Sequence, residues 1–112
     1  MAEPDVAVVG GGLAGACAAI LLARGGARVV LIEKESGPKP KVCGEFLSSA
    51  ALAVLDRLGV DAVALGAVPL DAMSFSARGE PRGLKLPFKA ASLTREVLDE
   101  ALMEEAGRAG AD

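Results

Sequence analysis

The sequence predicts an α/β fold: a parallel β-α-β unit with an inserted β-hairpin, in a parallel sheet left incomplete. Three observations predict it. From Val6 to Glu33 a β-branched run gives way to a glycine-rich turn, an Ala/Leu-rich stretch and a second β-branched run. That order fits the ~30 residues a β-α-β unit needs. From Leu70 to Lys89, apolar and polar residues alternate on either side of a Gly/Pro turn. Leu93 to Asp112 reads as one more helix followed by Gly110, where an α/β chain normally enters another strand.

Val6 to Val9 is a short apolar run, which predicts a strand buried on both faces. Gly10, Gly12 and Gly15 follow on the spacing G-x-G-x-x-G. Leu13 to Arg24 predicts a helix, with Gly25-Gly26 ending it through left-handed conformations. Arg28 to Ile32 predicts the second strand, and Glu33 closes it. Each part has a physical role in a Rossmann-type unit. Gly10 permits a tight turn, Gly12 lets a pyrophosphate approach the backbone, and Gly15 lets the helix pack close to the strand. The free N–H groups of the helix start at Leu13, Ala14 and Gly15 favour an anion. Glu33 stands 18 residues after Gly15, placed to accept hydrogen bonds from ribose hydroxyls. The strand-turn-helix context makes this a dinucleotide-binding signature rather than an isolated motif.

Composition excludes several classes. Val6 to Ala23 lacks charge for 18 residues, the lower edge of transmembrane length. Its glycines, the acids before it and the absence of a basic n-region argue against a span or a signal peptide. Net charge is −3 with no basic tract, which gives nucleic-acid binding no electrostatic support. The chain has no histidine, so His-based triads and most zinc sites are excluded, and no metal site is predicted. Cys17 and Cys43 are the only cysteines, and they suggest a reducing, cytoplasmic setting. Cys17 lies among Ala and Ile and is expected to be buried.

Lys34 to Lys41 predicts a polar loop. Its three lysines suit a solvated connector or a loop over an anionic cofactor. Ser48 or Ser49 caps a helix from about Ala50 to Leu58 that ends at Gly59. Leu70 to Lys89 predicts a half-buried hairpin turning at Arg78 to Gly83, with Pro87 marking an edge strand or its end. In the last helix Thr94 is the N-cap. Val97, Leu98, Ala101, Leu102 and Ala106 form the apolar face, and Asp99, Glu100, Glu104 and Glu105 the solvated one. Arg95 opposes the helix dipole, so a local reason for it is expected, such as an anion shared with the first helix.

The order VAVVGGGLAGACAAILLARGGARVVLIEKE, KVCGEFLSSAALAVLDRLG and SLTREVLDEALMEEA resembles the N-terminal part of FAD-dependent oxidoreductases. Within them it is most similar to the geranylgeranyl reductase-like branch, beside the aromatic-ring flavin monooxygenases and flavin halogenases. The Lys41-x-Cys43-Gly44-Glu45 element points to that branch. The resemblance implies that Gly10, Gly12, Leu13, Ala14 and Gly15 face the FAD pyrophosphate. Glu33 would take the adenosine ribose, Lys41, Cys43 and Gly44 would line the flavin side, Arg95 would clamp the phosphates, and Lys34 is a further cofactor-binding candidate. Catalytic residues are unassigned, with Cys43 the one candidate.

The family's downstream Asp-Gly and Gly-Asp motifs are absent. Residues 1–112 are therefore expected to be the N-terminal part of an FAD-binding domain, completed by a missing C-terminal part of the same enzyme. That enzyme would take FAD, with NAD(P)H as co-substrate. It would reduce a double bond or hydroxylate a small molecule, isoprenoid or aromatic. A NAD-dependent dehydrogenase fits the glycine motif and Glu33 equally. A non-catalytic nucleotide-binding module is the alternative of another class.

Overall fold

The computed structural model describes residues 2–43 and 45–112. Strand β1 (Val6–Val9) leads through the glycine turn into helix α1 (Leu13–Arg24), which returns to strand β2 (Val29–Ile32). The strands pair in parallel, from Val6 opposite Val29 to Val9 opposite Ile32. Of the two helix-ending glycines, only Gly26 is left-handed (φ 94°); Gly25 keeps φ at −78°.

Strand β1 is half-buried, contrary to the expectation of burial on both faces. Val6 and Val8 are partly covered, whereas Val9 is 81% exposed. Helix α1 packs on the sheet from one side, and among the described residues no element covers the other. Helix α3 (Arg95–Ala109) packs in turn on α1. Ala16, Ala19 and Ile20 of α1 share a core with Leu98, Leu102 and Ala106 of α3. The alanines keep that interface thin, which brings α3 up beside the glycine turn. After Gly110, with φ 110°, the Asp112 N–H donates to the Val29 carbonyl and its own carbonyl accepts from Leu31 N–H. Strand β2 is thus hydrogen-bonded on both edges.

A second sheet has the order β3-β5-β4. It comprises β3 (Phe46–Leu47), which the sequence reading missed, β4 (Val68–Phe75) and β5 (Arg82–Ser92). Helix α2 (Ser49–Arg57) begins at Ser48, whose Oγ accepts from Ala51 N–H at 3.1 Å, and Gly59 follows it at φ 79°. The hairpin is correctly located but not half-buried: Met73, Phe75, Leu84 and Phe88 are each more than 40% exposed. Alternation supplies an apolar face, yet no described element lies under it. Strand β5 lies between β3 and β4, and Pro87 falls in the register shift between the Leu70–Ala90 and Ala72–Lys85 pairs. There its missing N–H interrupts no ladder pair. Among the described residues no helix is long and apolar enough to cross a membrane.

Candidate functional site

The glycine turn stands at the carboxyl end of the parallel strands, where open α/β sheets receive ligands. Gly10 takes φ 103° and donates its N–H to the Ile32 carbonyl at 2.7 Å, tying the turn to the end of β2. A Cβ on Gly15 would clash with the Gly10 carbonyl oxygen, so only glycine lets α1 start this close to the turn. Gly12 differs: nothing lies within 4 Å of where its Cβ would be. Its bare backbone faces open space at the N-cap of α1, where no side chain caps the helix. By position, Leu13, Ala14 and Gly15 have no intrahelical acceptor for their N–H groups. An open backbone at an uncapped helix start fits an anionic group such as the pyrophosphate of a dinucleotide.

Glu33 folds back over the turn. Its Oε2 accepts the Gly11 N–H at 2.6 Å and its Oε1 accepts the Glu35 N–H at 3.1 Å. These backbone donors, Glu35 foremost and then Gly11, hold the carboxyl below its ordinary value and favour the ionised form. An ionised carboxylate has about four acceptor positions, so it can still receive hydroxyl donors.

Gly11, Gly12, Glu33, the loop from Lys34 to Lys41, and Asp99, Glu100, Met103 and Glu104 enclose a groove of about 610 Å³. Lys34 and Lys41 both line it. Lys39 is held by Glu35 at 2.7 Å, and Lys41 Nζ lies 3.9 Å from Asp99 Oδ2.

Arg95 Nε donates to Asp99 Oδ1 at 3.0 Å, which gives this cation its local reason. Asp99 is therefore no part of a solvated face. It is 5% exposed, turned inward to reach Arg95 and Lys41. Val97 is the converse correction, being 36% exposed. Thr94 occupies the N-cap but makes no side-chain cap bond. The hydrogen bond to Asp99, with Cys43 adding to it, raises the Arg95 pKa above its ordinary value against the effect of burial.

Cys43 is exposed, and its Sγ accepts the Glu45 N–H at 3.3 Å. Cys17 is half-buried rather than buried, and desolvation pushes its thiol pKa up. Gly44 lies outside the described residues. The structure thus gathers Gly12, Glu33, Lys34 and Lys41 at one groove, with Gly10, Leu13, Ala14 and Gly15 building its turn. Arg95 stands beside it and is joined to it through Asp99, and Cys43 lies near Arg95.

Sequence reasoning missed Gly11, Met103 and Asp99. Only Asp99 left a signal, the four-residue spacing from Arg95 that puts two side chains on one helix face. Met103 has its Sδ 3.0 Å from where a Gly11 Cβ would stand, so any larger residue at position 11 would press on α3.

A profile for the family described as FAD binding domain matches residues 3–112. Menaquinone reductase of Mycolicibacterium smegmatis is 46% identical over 56 residues, covering 50% of this chain and 14% of that protein. 6-Methylpretetramide 4-monooxygenase of Streptomyces rimosus is 48% identical over 59 residues, covering 53% of this chain and 14% of that protein. A solved geranylgeranyl bacteriochlorophyll reductase-like protein from Thermoplasma acidophilum superposes with a TM-score of 0.79 at 30% identity. That match covers 97% of this chain and 29% of the other.

Proposed function

This chain belongs to the FAD binding domain family, and we infer that its groove holds the ADP half of FAD. The observation that carries the reading is the contrast among the motif glycines. Gly10 and Gly15 are required by the protein's own backbone, whereas Gly12 has open space around it. A bare backbone at the start of α1 is suited to a phosphate rather than to internal packing. Glu33 would accept the ribose hydroxyls, Lys34 would flank the adenosine end, and Arg95 and Lys41 would offset phosphate charge. Cys43 would lie toward the flavin. Family membership favours FAD over the NAD-dependent alternative, although both cofactors share the ADP half.

In the whole protein the reading is a cytoplasmic flavin-dependent oxidoreductase, of which these residues are the N-terminal portion. NAD(P)H would be its electron source and a small isoprenoid or aromatic molecule its substrate. The relatives named above include a reductase and a monooxygenase, and the matches span 14% of each. Bound FAD supplies the hydride or O₂ chemistry, while this chain's residues bind and orient it. The test is to titrate wild type and Glu33→Ala with FAD, NAD and NADP. Glu33→Ala should lose about 1–3 kcal/mol of dinucleotide affinity, as when a charged hydrogen-bond partner is removed. Wild type should discriminate against NADP, because the carboxylate repels a 2′-phosphate. Equal affinities in both proteins would contradict the reading.

A further inference from the structure

We propose that Asp99 is a positioning residue that holds Arg95 and Lys41 in place for the diphosphate. The proposal rests on the FAD reading above and deepens it. Asp99 is the one charged residue in the core of the described chain, at 5% exposure. Its two oxygens face two cations from different elements. Oδ1 accepts from Arg95 Nε at 3.0 Å, and Oδ2 lies 3.9 Å from Lys41 Nζ at the end of the groove loop.

Helix energetics do not account for this arrangement. A cation in the first turn opposes the dipole, and a cation preceding its anion by four residues is the weaker order for such a pair. Burying the carboxylate adds a desolvation cost. The arrangement instead has a use at the groove. With Nε committed to Asp99, the Arg95 guanidinium is anchored through its inner nitrogen, so it would meet a phosphate through its terminal end. Through Oδ2 the same carboxylate draws Lys41, and with it the loop from Lys34, toward α3. One buried anion therefore keeps both cations from turning away into solvent. It also limits the repulsion between them before a ligand arrives.

The test compares wild type, Asp99→Asn, Arg95→Leu and the double variant for binding of ADP, which carries the diphosphate, and adenosine, which does not. Asp99→Asn should weaken ADP binding about tenfold or more and leave adenosine binding unchanged. In the Arg95→Leu background the same substitution should cost much less, because part of its target is gone. If Asp99→Asn unfolds, Asp99→Glu replaces it and should show the same loss for ADP alone, since its longer side chain displaces both cations. Equal losses for ADP and adenosine would overturn the proposal, leaving Asp99 a merely structural residue. Unchanged ADP affinity, or full additivity with Arg95→Leu, would also overturn it while leaving the FAD reading intact. A wild-type chain that binds neither FAD nor ADP would overturn both.

Discussion

The glycines of the turn share a residue type and differ in what requires it. Gly15 faces the Gly10 carbonyl, a backbone atom that cannot yield, so Gly15→Ala should destabilise the fold by about 1–3 kcal/mol in urea unfolding. Gly12→Ala meets nothing and has an ordinary φ of −72°. It should unfold like wild type and lose FAD affinity, so stability and binding should separate at two positions three residues apart. Glu33 has a pH signature with a definite sign. Its folded pKa is below the ordinary 4.5, so its contribution is complete above that value and is lost as pH falls through the lowered folded value. A carboxyl-resolved NMR titration should find Glu33 titrating below its ordinary value, and a value at or above 4.5 would count against the Gly11 and Glu35 contacts. Arg95→Lys should recover only part of the FAD affinity lost in Arg95→Leu, because an ammonium cannot present two coplanar donors. The turn residues were legible in the sequence because each answers to local geometry. The inward position of Asp99 was not, because nothing near it in the chain shows that Lys41, more than fifty residues away, stands opposite it.

Among the elements, the three helices were legible because apolar spacing and helix-ending residues act within a few residues, and in α2 a side-chain cap does so too. Ser48 shows this directly, its Oγ holding Ala51 N–H at the start of α2. The two-residue strand β3 left no signal, since it exists only through pairing with Ala91 and Ser92 of β5. The hairpin shows the opposite failure: its period was readable and its burial was not. Alternation says which side chains share a face, but not whether anything covers that face. Met73→Ser and Leu84→Ser, a cross-strand pair, should therefore change the stability of this chain by no more than about 0.5 kcal/mol. The same changes should raise its solubility. A large loss in thermal unfolding would mean that the face is buried in solution.

The whole molecule is extended for its length. Its radius of gyration is 16.9 Å, against about 13 Å for a compact domain of this size. The open face of β1 and β2 and the uncovered hairpin both present apolar surface, with Val9, Ile32 and Phe75 each more than half exposed. These features accord with the proposal that the chain is part of a larger site; its matches cover 14% of each of the two relatives named above. By itself the chain should bind FAD weakly and show no NAD(P)H oxidase activity. Flavin-dependent turnover by the 112 residues alone would contradict that expectation. The most direct test of the central claim, that the groove takes the ADP half of FAD, is competition for bound FAD by ADP and by FMN. ADP should displace FAD, and FMN, which lacks the ADP half, should not. Displacement by FMN with ADP inert would contradict the account.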